Sequence, residues 1–211
     1  GTFSEGLLLS CLDIDRVYYY ATTYGAKIMN CKIRSVSNHS ATVLHNFEIT
    51  MSQINQLEIS GLSSGVVISS KIKSYSGGGG SSSLGNISIM NCNIDSNSSS
   101  FVSTQFINCI LNSAGKGAFQ NCLYNSLDSY STTKDCYQNS EFSLDDDLNC
   151  SLTDEDLRSA GYLGIGGSVV GITGGDVPFT LETPVAQVVE HKLEVDQAER
   201  KLKVQLKLGN K

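Results

Sequence analysis

The sequence predicts an all-β chain wound into a parallel β-solenoid. Three observations carry this: a composition hostile to helix, a six-residue motif that returns along the chain, and a step of three inside that motif. The 211 residues include 31 Ser, 15 Asn and 20 Gly, with 2 Pro and no Trp. Ser, Asn and Gly are poor helix formers, so a mainly helical chain is excluded. Hydrophobic residues make up 40%, enough to fill a core, so the chain is not disordered. The net charge of −6 argues against a nucleic-acid footprint. No apolar run approaches the roughly 20 residues of a membrane helix.

The motif is apolar-x-Asn-apolar-x-apolar. It occurs at Ile28-Met29-Asn30-Cys31-Lys32-Ile33, Leu44-His45-Asn46-Phe47-Glu48-Ile49, Ile89-Met90-Asn91-Cys92-Asn93-Ile94, Phe106-Ile107-Asn108-Cys109-Ile110-Leu111 and Phe119-Gln120-Asn121-Cys122-Leu123-Tyr124. Ile54-Asn55-Gln56-Leu57-Glu58-Ile59 carries Gln in the Asn slot, a weaker copy spans Leu8 to Asp13, and degenerate copies surround Cys136 and Cys150. In a straight strand inward residues fall two apart. Here the inward residues flanking Asn stand three apart, so one residue must break the alternation. Asn suits that task because it tolerates the left-handed conformation. The unit is therefore strand, one-residue corner, strand, and stacked units place Asn above Asn in a ladder. A β-sandwich would need hairpin turns and gives no reason for Asn at a fixed offset.

The spacing predicts about six to eight rungs at about 4.8 Å per step. Ten residues from Phe47 to Leu57 are too few for a full rung, so one of these motifs is expected to mark a second corner of the same turn. The gap after Leu57 is expected to hold a further rung through Val66, Val67, Ile68 and Ile72. It also holds the loop Ser76-Gly77-Gly78-Gly79-Gly80-Ser81-Ser82-Ser83, whose composition predicts flexibility.

Six of the seven cysteines follow Asn or Asp. At one repeated position they are expected to be small buried core residues with free thiols; disulfides are the lesser reading. There is no Cys-x-x-Cys pair and no His at zinc-finger distance, so no metal is assigned.

The C-terminal third changes character. Glu141 to Asp156 holds acids and no base. A short helix over Thr153 to Ser159, capped by Thr153 or Asp154, explains half of these charges; calcium binding is the lesser reading. The glycines from Gly164 to Gly175 predict turns, and no phosphate-loop or other cofactor motif is present. Leu202, Val204, Leu206 and Leu208 alternate with polar residues as an amphipathic strand. Val189, Leu193 and Val195 supply its hairpin partner, with the turn near Asp196 to Arg200. The expected division is a parallel β-helix over 1–175 and a strand or hairpin appendage over 176–211, either capping the open end or packed along the side. The chain opens without a leader pattern. Gly1 is taken as a processing remnant, and the array is expected to begin partway, with an incomplete first rung.

The rungs Asn30-Cys31-Lys32-Ile33 and Asn91-Cys92-Asn93-Ile94 resemble those of right-handed parallel β-helix proteins of the pectate-lyase-like superfamily. The stretch Val170-Gly171-Ile172-Thr173-Gly174-Gly175-Asp176-Val177-Pro178-Phe179-Thr180, with the tail after it, is similar to the ends of surface β-helix proteins of anaerobic gut bacteria. The resemblance implies a secreted or cell-envelope protein. The enzymes of that superfamily act on acidic polysaccharides, yet the chain lacks the hydrolases' Gly-His-Gly and Arg-x-Lys, and no catalytic residue is assigned.

Two outer-face groups are candidate ligand-binding residues. Asp13, Asp15 and Arg16 precede Tyr18 and Tyr20, a pairing of charges and rings that suits sugar stacking or else covers a half-open first rung. Lys32, Glu48 and Glu58 occupy the outward position of successive motifs. On adjacent rungs the two carboxylates would lie about 5 Å apart, as in retaining glycosidases; the alternative is a solvated charge ladder. The expected function is a non-catalytic surface protein, adhesive or glycan-binding. The alternative is a polysaccharide lyase or glycoside hydrolase, or the C-terminal part of one.

Overall fold

The computed structural model of the chain describes residues 7–39, 42–59, 62–77, 86–98, 104–180, 187–196 and 201–209. In chain order the strands are β1 (Leu8–Ser10), β2 (Asp13–Tyr19), β3 (Thr23–Tyr24), β4 (Lys27–Met29), β5 (Lys32–Asn38), β6 (Leu44–His45), β7 (Phe47–Thr50), β8 (Gln53–Ile59), β9 (Gly65–Ile68) and β10 (Lys71–Gly77). Then come β11 (Ile87–Met90), β12 (Asn93–Asn97), β13 (Thr104–Ile107), β14 (Ile110–Ala114), β15 (Ala118–Gln120), β16 (Leu123–Leu127), β17 (Thr132–Lys134) and β18 (Tyr137–Gln138).

Two 8-stranded sheets result. Sheet I takes β1, β4, β7, β9, β11, β13, β15 and β17; sheet II takes β2, β5, β8, β10, β12, β14, β16 and β18. Every neighbouring pair within them is parallel, and each strand pairs with its equivalent one coil away, as in Ile28 against Ile49 and Ile33 against Ile54. That is the expected all-β solenoid, and it excludes the sandwich. The rung expected through Val66 to Ile72 is formed by β9 and β10. Of the Gly/Ser loop, Ser76 and Gly77 end β10, and its remaining residues lie outside the described ones.

Between the sheets each coil turns on one residue with φ between 45° and 56°: Cys11, Asn30, Met51, Ser69, Asn91, Asn108, Asn121 and Asp135. The step of three is real, but it occurs at three places in a coil. Asn46 (φ 54) lies at a second corner, between β6 and β7, stacked on Gly25 of the previous coil through the Gly25 amide and the His45 carbonyl. Asn55-Gln56 is no corner. It is a bend inside β8, where the pairing register skips a residue between Ile54 and Leu57 and again in the neighbouring strands. The short Phe47-to-Leu57 step follows, because the corner of that coil is Met51.

The cysteines do more than fill space. Immediately after the corner stand Cys31, Ser52, Ser70, Cys92, Cys109, Cys122 and Cys136 in one column. Each of these thiols and hydroxyls donates to the carbonyl two residues back, as from Ser52 Oγ to Thr50 (2.9 Å), Ser70 Oγ to Ile68 (2.9 Å) and Cys122 Sγ to Gln120 (3.3 Å). Several also accept the amide of the coil before: Cys31 N to Ser52 Oγ and Ser52 N to Ser70 Oγ (3.2 Å each), Cys109 N to Cys122 Sγ and Cys122 N to Cys136 Sγ (3.4 Å each). The corner turns these amides away from the strand ladder, and buried amides must be paired. Ser and Cys share the slot because both carry one donor and one acceptor atom on Cβ. All seven cysteines are free. Cys150 does not belong to a coil; it forms an isolated antiparallel bridge with Leu144.

The Asn ladder is partial. Asn108 Nδ2 donates to Asn91 Oδ1 at 3.3 Å. At Asn30 the next corner is Met51, which offers no side-chain amide, and among the described residues the buried Asn30 Oδ1 has no hydrogen-bond partner. Inside, Phe106 stacks on Phe119 with centroids 4.7 Å apart, and the Tyr75 hydroxyl meets Thr104 Oγ1 at 2.9 Å.

After β18 the chain folds back along the outside of sheet II and the corner row. This strap includes α1 (Asp154–Ser159), capped by Thr153 in a reciprocal box with Asp156, as the acidic run predicted. It builds a second core from Phe142, Leu157, Val169 and Val170 against Ile110 and Leu123, which point outward from sheet II. Asn108 Oδ1 accepts the Ile165 amide (2.9 Å), and Asn93 bonds Ile172 N (3.2 Å) and Leu148 O (2.9 Å). The glycines therefore serve close approach as well as turning. A Cβ on Gly164 would stand 2.7 Å from Asn108 Cγ, and one on Gly171 2.6 Å from Asn93 Oδ1.

The last elements, β19 (Gln187–Asp196) and β20 (Lys201–Gly209), form the expected antiparallel hairpin. Among the described residues these strands pair only with each other.

Candidate functional site

Sheet II presents outward columns, one residue per coil. The strap covers the columns from Lys71 on. The strands β2, β5 and β8 lie outside the cluster that the strap forms; six of the eight candidate residues stand on their outer face, and Tyr20 directly follows β2. Asp13 is in register with Lys32, and Arg16 with Ser35. At the bend, Asp15 takes a two-pronged contact from Arg34, with Nε to Oδ1 at 2.5 Å and Nη2 to Oδ2 at 3.1 Å. Tyr18, Ser37 and Glu58 form one column. The rings of Tyr18 and Tyr20 are tilted against each other with centroids 4.4 Å apart, and Tyr20 is 80% exposed. Such a ring, beside carboxylates and a guanidinium, offers a stacking surface with hydroxyl-binding groups around it.

Glu48 departs from the group. It lies on β7 in sheet I, where Lys27 Nζ pairs with it at 2.8 Å. Glu48 and Glu58 therefore stand on different sheets and form no stacked carboxylate pair; the expected ladder rested on treating Gln56 as a corner. The partner of Glu48 is Lys27, not Lys32. Two neighbours escaped the sequence reading: Arg34, which the bend column places against Asp15, and His45, which stacks on Tyr24 at 4.6 Å. The column of Asp15 and Arg34 continues along the stack, with Asn112 donating to Asp95 (3.0 Å) and Asn125 to Asn112 (3.4 Å).

A second polar cluster lies where strap meets sheet. Lys71 is 8% exposed, donates to Asn149 Oδ1 at 2.7 Å, and sits 5.1 Å from the centre of the Phe179 ring. Burial lowers its pKa, and Asp147 and Asp145 work against that shift. Asp145 is held below the usual carboxylate range by hydrogen bonds from Asn149. A cavity of about 190 Å³ beside this cluster is lined by Asn93, Asn149, Cys150, Asp154 and Thr173, among others. Its polar groups already serve the strap: Asp154 accepts from Thr173 (2.6 Å) and Asn149 donates to Asp145 (2.9 Å). Among the described residues no group of three or more His, Cys, Asp or Glu is placed to hold a metal ion. Cys109 and Cys122 are fully buried, and burial raises their pKa well above the ordinary thiol value, the setting of a structural rather than a reactive cysteine.

No protein-family model, curated protein or solved structure matches the chain. Among the described residues no helix is long and apolar enough to cross a membrane.

Proposed function

We propose that the chain is a non-catalytic secreted or cell-surface β-helix protein, akin to the pectate-lyase-like superfamily and to surface proteins of anaerobic gut bacteria, that binds glycan on the outer face of β2, β5 and β8. The observation that carries this reading is the ring pair of half-buried Tyr18 and exposed Tyr20, at the end of the strand that also presents the Asp15–Arg34 contact. A rigid solenoid holds these groups in rows at the strand spacing of about 4.8 Å, which suits a long polymer lying across several coils. Arg34 occupies both oxygens of Asp15, which favours positioning over acid–base work.

The test is a glycan array on the full chain and on Tyr20→Ala, run beside reducing-sugar and unsaturated-product assays on acidic polysaccharides. Binding that Tyr20→Ala weakens about tenfold, as loss of a stacked ring worth roughly 1–2 kcal/mol requires, supports the reading. Turnover of any polysaccharide would replace it with the lyase or hydrolase alternative. Binding that is absent, or indifferent to Tyr20, removes the glycan site and leaves a structural scaffold.

A further inference from the structure

Lys71 stands out among the charged side chains. It occupies an outward position of sheet II, in register with Gln53 and Asn93 on the strands to either side. Lys32, in the same column, is exposed. Lys71 instead lies beneath the strap, with the Phe179 ring over its amine. Among the described side chains it is the one charged group that is buried. A buried ammonium is costly unless it is well paired, yet its hydrogen-bond partner is a neutral amide: Nζ donates to Asn149 Oδ1 at 2.7 Å.

The other end of that amide meets a carboxylate. Asn149 Nδ2 donates to Asp145 Oδ2 at 2.9 Å. Lysine can only donate and an ionised carboxylate can only accept, so the two partners fix which way the amide points. Its carbonyl faces the amine and its nitrogen faces Asp145. A closed turn holds the group still. Asp145 Oδ1 also accepts the Asn149 backbone amide (2.8 Å), the Asp145 amide donates back to the Asn149 carbonyl (3.0 Å), and Asn93 ties the preceding Leu148 carbonyl to sheet II (2.9 Å). Given a carbonyl bond of about 1.2 Å, Asn149 Cγ lies within about 4 Å of the lysine nitrogen. That is close to the roughly 3–3.5 Å of a near-attack geometry, where orientation replaces a second-order encounter.

We propose that Lys71 and Asn149 join by a self-catalysed reaction, forming an amide bond from Lys71 Nζ to Asn149 Cγ that fastens the strap to β10 and releases ammonia. The ammonium of Lys71 first gives a proton to water; burial, which lowers its pKa, favours that loss. The amine lone pair then forms the new C–N bond, and the carbonyl pair moves onto Oδ1. Asp145, kept ionised by its hydrogen bonds from Asn149, takes the surplus proton from the lysine nitrogen and passes it to Nδ2. The old C–N bond breaks, the carbonyl re-forms, and ammonia leaves to take up the first proton. An ammonium and a carboxamide thus become a secondary amide and an ammonium ion, with no co-reactant. The link would join residues 78 apart in the chain, a closure that restricts the unfolded state.

The test is the intact mass of the full chain after days of incubation, followed by peptide mapping. A mass lower by one ammonia is expected, with a branched peptide whose fragments join Lys71 to Asn149. An unchanged mass overturns the proposal. So does a loss of ammonia without the branched peptide, which would mean a succinimide at an asparagine. Both readouts use the unaltered chain and do not depend on a variant folding. Lys71→Arg keeps a donor to Asn149 but has no nucleophilic amine, and it should retain the full mass; the same loss in this variant also overturns the link. Asp145→Ala should accumulate the branched peptide at least about tenfold more slowly, and an equal rate would overturn the proton relay.

Discussion

Cys122 separates two accounts of the cysteine column. Its side chain is fully buried, accepts the Cys109 amide at 3.4 Å and donates towards Gln120 O at 3.3 Å and Phe106 O at 3.4 Å. If cysteine is there as a small apolar residue, Cys122→Ala should be mild and Cys122→Ser worse, because a hydroxyl enters the core. If it is there to satisfy the amide that the corner strands, the order reverses. Alanine leaves the Cys109 amide buried and unpaired, at about 1–3 kcal/mol, and vacates the volume of one sulfur, for about 1 kcal/mol more. Serine keeps one donor and one acceptor, and Ser52 and Ser70 already fill the equivalent slots at 2.9–3.2 Å. Cys122→Ala is thus expected to lose about 2–4 kcal/mol and Cys122→Ser less than about 1 kcal/mol. Urea unfolding, compared at unchanged denaturant slope, measures both. Serine costing as much as alanine would refute the amide-satisfying role.

Further expectations concern the strap and the cap. Asn108→Ala removes the acceptor of the Ile165 amide, and hydrogen exchange at Ile165 should accelerate by roughly tenfold or more for a bond worth about 1.5 kcal/mol. Gly171→Ala adds both a close contact to Asn93 and a side chain at φ 85°; limited proteolysis should cut within 139–180 faster than in the parent, and an unchanged pattern would show the strap is held elsewhere. The Asp156 carboxyl lies below the ordinary 3.8 because Thr153 bonds it through side chain and backbone. A lowered carboxylate contributes stability that is present above the unfolded value and lost as pH falls through the folded one. Amide protection at the start of α1 should therefore hold above pH 4 and fade below it, and Asp156→Asn should abolish that dependence.

Much of the coil was legible because its chemistry is local. A left-handed corner favours Asn or Gly, and Asn30, Asn91, Asn108 and Asn121 announced it. Met51 and Ser69 did not, since a corner held by its neighbours above and below tolerates other residues. The same three-step spacing also arises at the bend Asn55–Gln56, which spacing alone cannot tell from a corner. That confusion misplaced Glu48 and Glu58, whereas Asp13, Asp15, Arg16 and Tyr18 landed together because they share β2, with Tyr20 directly after it. The cysteine slot was visible, but its purpose was not: Ser52 and Ser70 stand in it without the Asn signature before them. The strap was hidden because its anchors, Asn93 and Asn108, look like ordinary repeat residues, and its glycines look like turns. The hairpin declared itself through alternation, which needs no tertiary partner to be seen.

The strap has a mechanical consequence. A bare stack of coils under tension along its axis sheds them one at a time from an end, because each coil is joined only to its neighbours. From Val177 at Ser69 through Ile172 at Asn93 to Ile165 at Asn108, the strap crosses successive coils like a lacing. A pulled molecule must release these anchors before the middle coils can separate, so they should give way in one large force step rather than several small ones. Under load along the stack, that turns a row of weak links into a single strong one.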